Sequence, residues 1–189
     1  MQILLASKNP NKLRELRAAL PEWKIALLDV PGEPDEHGTT FLDNARIKAR
    51  YGRTLAPAEA YVAGEDSGIE VDALGGRPGV KSARWAADGV ARLLLELGGQ
   101  SDRRARYVCE LVLLAPDGTE LRATGTLAGN VADAPRGDEG FGYDPILVPD
   151  GETRTVAELG NAWKAEHSHR AQAAHALARL LASEDEKTT

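Results

Sequence analysis

Short apolar runs separated by polar turns divide the chain into strands and helices. Ile3 to Ala6 predicts a buried strand, and Leu13, Leu16 and Leu20 recur at helical spacing over 11–20. Asn9 suits the cap of that helix and Pro10 its first turn, where a missing N–H costs little. Leu27 to Gly38 is rich in Pro, Gly and acids and predicts a loop from which Glu33, Asp35 and Glu36 can reach a metal. Thr40 to Asp43 resembles a capping box, and the helix it opens turns Phe41, Leu42, Ala45 and Ala49 inward while Asn44 and Lys48 share one face. Tyr61 to Ala63 predicts the end of a buried strand, with Glu65 and Asp66 emerging at its carboxyl edge. The alternation of Ile69 and Val71 against Glu70 and Asp72 predicts a second strand leaving that point, closed by Gly75-Gly76 and Pro78-Gly79.

The second half adds a helix over 88–97, with Val90, Ala91, Leu94 and Leu97 inward. Strands over 107–114 and 121–131 flank the turn Pro116-Asp117-Gly118-Thr119, which suggests antiparallel strands in a partly separate lobe. Pro145 to Pro149 reads as a further strand and Thr155 to Leu159 as a short capped helix. Ser168 suits the cap of a long Ala- and Leu-rich helix ending near Leu181, and 183–189 is expected to be a disordered acidic tail. The expected organisation is one domain over 1–182.

Composition narrows the function classes. The 189 residues carry a formal charge of -6, which disfavours general affinity for a nucleic-acid backbone but leaves room for a basic pocket that takes one anionic small molecule. Cys109 is the single cysteine, so an internal disulfide is excluded, and its neighbours Tyr107, Val108, Leu111 and Val112 make it a core thiol. The N-terminus lacks the basic start and long apolar stretch of a secretory leader, and no run is long enough to span a bilayer. A soluble cytoplasmic protein with no membrane or nucleic-acid partner is expected.

Four stretches carry chemistry. Glu65 and Asp66 are adjacent carboxylates followed by Ser67 and Gly68, a pattern suited to a divalent cation or, more blandly, a charged loop. Ser7-Lys8-Asn9-Pro10-Asn11-Lys12 leads into a helix start with two lysines beside it, a natural cradle for phosphate, though not a Walker loop, since it has no glycines. Taken alone, it reads first as a capped helix with surface lysines. Gly137 to Pro145 packs glycines around Phe141 and Tyr143, giving exposed backbone beside aromatic faces that suit a flat base, or equally a turn tucked under the core. His169 and Arg170 stand in a helix first turn, where positive charge opposes the macrodipole, and this conflict hints at function.

Ser7-Lys8-Asn9 with Lys12, Phe41 to Ala45 with Lys48, Glu65-Asp66-Ser67-Gly68, Leu74-Gly75-Gly76 with Pro78-Gly79, Ser82-Ala83-Arg84, Phe141 to Pro145 and Ser168-His169-Arg170 follow one another in register. In this the chain resembles the inosine/xanthosine triphosphate pyrophosphatases, house-cleaning enzymes for non-standard purine nucleotides, from Ile3 to about Leu181. The resemblance implies an α/β fold, elongated and mixed-sheet, with two lobes around a central nucleotide-binding cleft. It implies a homodimer that uses magnesium to hydrolyse ITP, dITP and XTP to the monophosphate and pyrophosphate. Carried onto this sequence, Ser7, Lys8, Asn9, Pro10, Asn11 and Lys12 hold the triphosphate with Lys48, which together with Asp66 is catalytic. Glu36 and Asp66 serve the metal, with Glu65 as a substitute, and Asp66 is also the base. Ser67, Phe141, Gly142, Tyr143, Asp144, Lys164, His169 and Arg170 contact the nucleotide. The family usually has Asp-Asp where this chain has Glu65-Asp66, acids where it has Ala162 and Trp163, and a longer segment after Arg84.

Hydrolysis between the first and second phosphates needs charge neutralisation, an in-line water and a proton acceptor. Hypoxanthine and xanthine carry an acceptor at the six position where adenine carries a donor, so a donor from Arg170 or Lys164 aimed there rejects ATP. A dry pocket edge near Phe141 or Trp163 would penalise the two-amino group of guanine. The rival readings are a pyrophosphatase for another modified nucleotide and a nucleotide sensor without turnover.

Overall fold

The computed structural model describes residues 2–32 and 34–187; Glu33, one of the three loop acids, and the end of the tail at Thr188 and Thr189 lie outside the described residues. The elements in chain order are β1 (Gln2–Leu5), α1 (Pro10–Ala19), β2 (Lys24–Leu27), α2 (Phe41–Leu55), β3 (Tyr61–Val71), α3 (Gly89–Glu96), β4 (Arg104–Leu114), β5 (Glu120–Val131), β6 (Leu147–Pro149), α4 (Val156–His167) and α5 (His169–Lys187). The helix starts follow local chemistry. Asn9 accepts from the Asn11 N–H to cap α1 with Pro10 at its start, reciprocal capping boxes Thr40/Asp43 and Thr155/Glu158 open α2 and α4, and Asp88 caps α3. α4 extends well beyond the expected Leu159, through a kink at Gly160 (φ 87°), and α5 passes Leu181 to reach Lys187. The backbone of the acidic tail as far as Lys187 is therefore helical.

All six strands belong to one sheet, in the order β2-β1-β3-β4-β5-β6. β1 runs parallel to both β2 and β3, whereas β3, β4, β5 and β6 are successively antiparallel. One expectation is corrected here: the residues 61–71 form a single strand, so Glu65 and Asp66 lie in its middle and not at its end. The pairing accounts for the difference. β1 stops at Leu5 opposite Ala63, while β3 continues against β4 to Val71. The crevice therefore opens at the carboxyl end of β1, along the edge of β3 that β1 no longer covers.

Alternation along β3 sets the two faces of the sheet. On one face Ala63 joins a core with Leu5, Leu16, Cys109, Leu111 and Leu177, and Ile69 and Val71 join another with Leu93, Tyr107, Ile146 and Val156. Glu65 and Ser67 fall between them on that same face, so charge interrupts the apolar packing at one place. The opposite face presents Gly64 and Asp66 to α2, whose Ala45 and Ala49 pack on Val112 and Leu114. A Cβ at Gly64 would lie 2.1 Å from the Ala45 carbonyl oxygen, so glycine is what lets α2 rest directly on the strand.

Candidate active site

Asp66 is where α2 and β3 exchange charge. Lys48 Nζ pairs with Asp66 Oδ1 at 2.8 Å and with Glu36 Oε1 at 2.6 Å, and donates to the Glu65 carbonyl at 3.2 Å. Asn44, one turn before Lys48 on the same face, donates to Asp66 Oδ2 at 3.2 Å and accepts from the Gly38 N–H at 2.9 Å, which ties the acidic loop to the strand. Arg84 Nη1 donates to the other Glu36 oxygen at 2.6 Å. Burial raises the Asp66 carboxyl above its ordinary value against the opposing charge of Lys48, making it more basic than a surface aspartate. Lys48 loses some of its charge preference to burial, but Asp66 and Glu65 outweigh that and its pKa is raised.

Glu65, one residue earlier on β3, points to the other face. It is fully buried and pairs with Lys12 at 2.6 Å and with Arg170 at 2.9 Å. Burial alone would raise its carboxyl, yet Lys12, Arg170 and Lys48 hold it well below the usual carboxylate range. Arg170 also donates to Ser67 Oγ at 2.7 Å and pairs with Glu15 from α1. Glu15 in turn pairs with Lys164, which lies 2.5 Å from Asp144 Oδ2. Asp144 accepts from the Phe141 N–H at 2.8 Å and the Tyr107 hydroxyl at 3.0 Å, and burial raises its carboxyl against the pull of Lys164. An unbroken chain of alternating charges, Asp144, Lys164, Glu15, Arg170, Glu65 and Lys12, thus runs behind the cleft.

The aromatic end is built around Phe141. Lys164 Nζ stands 4.9 Å from its ring centroid and the Arg170 guanidinium 5.5 Å, both within cation–π range. His169 stacks on Tyr107 with centroids 4.5 Å apart, and its buried Nδ1 has no hydrogen-bond partner among the described residues. Burial and then Arg170 depress the His169 pKa well below 6.5, so the ring is neutral. Gly125 on β5 lets this helix start approach, since a Cβ there would lie 2.0 Å from the His169 carbonyl oxygen.

These groups surround one cleft of about 540 Å³. Ser7, Lys8, Asn9 and Lys12 line it from the β1 end, Glu36, Lys48, Asp66 and Ser67 from the floor, and Phe141, Gly142, Tyr143, Asp144, Lys164, His169 and Arg170 from the far side. Of the residues expected at the site, Pro10, Asn11 and Glu65 are not among those lining the cleft. Pro10 and Asn11 form the first turn of α1, and the Asn11 N–H is taken by the Asn9 cap at 2.9 Å. Trp163 is also absent from the lining and lies tilted against His167, so of the two residues expected to form a dry edge only Phe141 lines the cleft. Three participants were not picked out as individual site residues from the chain: Glu15, Tyr107 and Arg84. Tyr107 carries a signal in strand alternation, two residues before Cys109 on the same face. Glu15 carries none, because its partners come from residues 164 and 170.

Glu36 and Asp66 could hold a divalent cation, since an oxygen of each already converges on the one Lys48 ammonium. Among the described residues no group of three or more His, Cys, Asp or Glu side chains is arranged to hold a metal. Two carboxylates with phosphate oxygens and water are a usual magnesium set.

The Ham1 family model matches residues 3–180. A dITP/XTP pyrophosphatase of Exiguobacterium sp. is 42% identical over 192 residues, covering 94% of this chain and 95% of its own. The dITP/XTP pyrophosphatase of Ralstonia nicotianae is 45% identical, with 95% of this chain and 94% of its own covered. Among solved structures, the Staphylococcus aureus Ham1 protein superimposes with a TM-score of 0.85 at 34% identity, over 97% of this chain and 100% of that one. A nucleoside-triphosphatase of Mycobacterium abscessus, described as a dITP/XTP pyrophosphatase, superimposes at 0.73 and 40% identity, over 95% and 97%. With the family model spanning nearly the whole chain and relatives above 40% identity that cover 94–95% of it, this chain belongs to the Ham1 family.

Proposed function

We propose that this protein hydrolyses the non-standard purine nucleoside triphosphates ITP, dITP and XTP to the monophosphate and pyrophosphate, clearing them from the nucleotide pool. The observation that carries this reading is the convergence of Lys48, Glu36 and Asp66 on the floor of a cleft whose two ends differ. One end holds Lys8 and Lys12, and the other holds Phe141 with Lys164 and Arg170. A triphosphate suits the first and a purine the second. The names of the relatives agree with it.

Glu36 and Asp66 would hold magnesium, which supplies positive charge for the triphosphate and the attacking water. Asp66 accepts the proton of that water, which the cation would acidify. Lys48 and Lys12 offset the charge that develops on the departing pyrophosphate. Lys164 and Arg170 present donors to the six-position acceptor of hypoxanthine or xanthine. Their orientation is set beforehand by Glu15, Asp144 and Glu65. Adenine brings a donor to the same point, and a mismatch of this kind is worth about four to five orders of magnitude in discrimination. Phe141 stacks the ring, and neutral His169 offers its unpartnered Nδ1 to the nucleotide. We place the enzyme in the cytoplasm as a homodimer, in keeping with the family resemblance and a single buried cysteine.

Pyrophosphate release from ITP, XTP, dITP, GTP, ATP and dTTP, with magnesium and with chelator, tests the reading. Magnesium-dependent turnover of ITP, dITP and XTP that Asp66→Asn abolishes is the expected result. Equal turnover of GTP and ITP would remove the role given to Phe141. Tight nucleotide binding without turnover would replace the enzyme with a sensor.

A further inference from the structure

Glu65 is adjacent to the proposed base, and yet it lines no part of the cleft. Its side chain leaves β3 on the face opposite Asp66, completely buried where the two apolar cores meet. A buried carboxylate is costly unless it is paired on every side. Glu65 meets that condition with two cations from distant parts of the chain: Lys12, in the first turn of α1, and Arg170, in the first turn of α5. Arg170 makes two contacts with Glu65 Oε1, from Nε at 3.2 Å and Nη2 at 2.9 Å, and the Cys109 thiol reaches the same oxygen at 3.4 Å. The other oxygen is left to Lys12 at 2.6 Å. The division is geometric, with one oxygen serving the base end of the cleft and the other its phosphate end.

We propose that Glu65 is a positioning residue that fixes Lys12 and Arg170 at a set separation, so that one side chain registers the phosphate end of the site against the base end. The role rests on the pyrophosphatase reading given above. Glu65 touches neither substrate nor metal in it. Recognition of the base and placement of the triphosphate are then linked through the middle of β3, and a nucleotide must satisfy both ends at once to bring its first phosphorus opposite Asp66. A displacement of about 1 Å in such an arrangement is enough to cost about a hundredfold in rate.

Glu65→Gln keeps the volume and removes the charge that holds both partners. The experiment compares kcat/KM for ITP and ATP in the wild type, Glu65→Gln, Lys12→Met and the double variant, each over a magnesium titration. The variant is expected to lose about a hundredfold on ITP and to retain at most about a tenth of the wild-type preference for ITP over ATP. Lys12→Met, damaging in the wild type, should cost less than about threefold in the Glu65→Gln background, because interacting residues are not additive. The magnesium concentration for half-maximal rate should not move. Unchanged base preference, independent effects of the two substitutions, or a tenfold rise in the magnesium requirement would each overturn the role, the last by making Glu65 a metal ligand. Should Glu65→Gln fail to fold, Glu65→Asp keeps the charge but shortens its reach. It should show the same loss of preference in smaller measure, and wild-type preference in it would overturn the role. An inert wild type overturns the pyrophosphatase reading itself, whereas an active wild type with an indifferent Glu65→Gln overturns only the role of Glu65.

Discussion

His169 and Arg170 open α5 at the end of a helix that disfavours positive charge, and each escapes the penalty differently. Arg170 keeps its charge. Burial works against it, but the Glu65 and Glu15 carboxylates outweigh burial and raise its pKa further. His169 gives its charge up, because burial and Arg170 push its pKa well below 6.5. An unfolded chain takes up a proton near pH 6.5 that the folded ring refuses, so stability falls as pH drops through that value. One such proton contributes at most about 1.4 kcal/mol per pH unit. Urea midpoints between pH 7.5 and 5.5 should decline in the wild type, and His169→Phe should remove part of that slope. On the floor of the cleft, Lys48→Met leaves Glu36 and Asp66 without the ammonium they share. Turnover of ITP should fall by about two to three orders of magnitude in kcat. The placement of His169 and Arg170 was legible in the chain because it breaks a local rule. Glu15 was not legible, since a glutamate in a helix breaks none until residues 164 and 170 are folded against it.

The approach of α2 to β3 depends on Gly64. A Cβ there would meet the Ala45 carbonyl oxygen at 2.1 Å and the Ala49 N at 2.4 Å, backbone atoms that cannot swing aside. Gly64→Ala should therefore lift the helix from the strand, at a stability cost of about 1–3 kcal/mol or more. Lys48 would move off Asp66 with it, so activity should fall beyond what the loss of folded protein explains. A Cβ at Gly32 would meet nothing within 4 Å, which makes Gly32→Ala the matched control, expected to leave both the melting temperature and kcat unchanged. Helix starts were readable because caps are local: Asn9, Thr40, Thr155 and Ser168 each sit where the chain predicts a cap. Strand continuity was not. The change of neighbours at Ala63, where β1 ends and only β4 accompanies β3 further, is a property of pairing and leaves no mark in residues 61–71.

A sheet that is parallel on one side of β3 and antiparallel on the other gives the molecule its cleft, because β3 outruns β1 while β4 supports it along its whole length. The residues that follow β1 and the middle of β3 must then face each other across that open edge, and α2 and α5 close it from opposite faces of the sheet. The order of motifs along the chain therefore made the site's membership legible, while the split between Asp66 and Glu65 came only with the faces. The charges of this site are also satisfied by protein alone. Lys48 bridges Glu36 and Asp66, Arg84 takes the second Glu36 oxygen, and Lys12 and Arg170 neutralise Glu65. Folding then does not wait for a metal ion, unlike that of a domain whose metal ligands repel one another without the ion. Chelation should stop pyrophosphate release completely and shift thermal unfolding by no more than about 2 °C, equivalent to roughly 0.5–1 kcal/mol for a domain of this size. A large fall in melting temperature with chelator would mean that the Lys48 bridge does not carry the charge of Glu36 and Asp66, and that the metal is part of the fold.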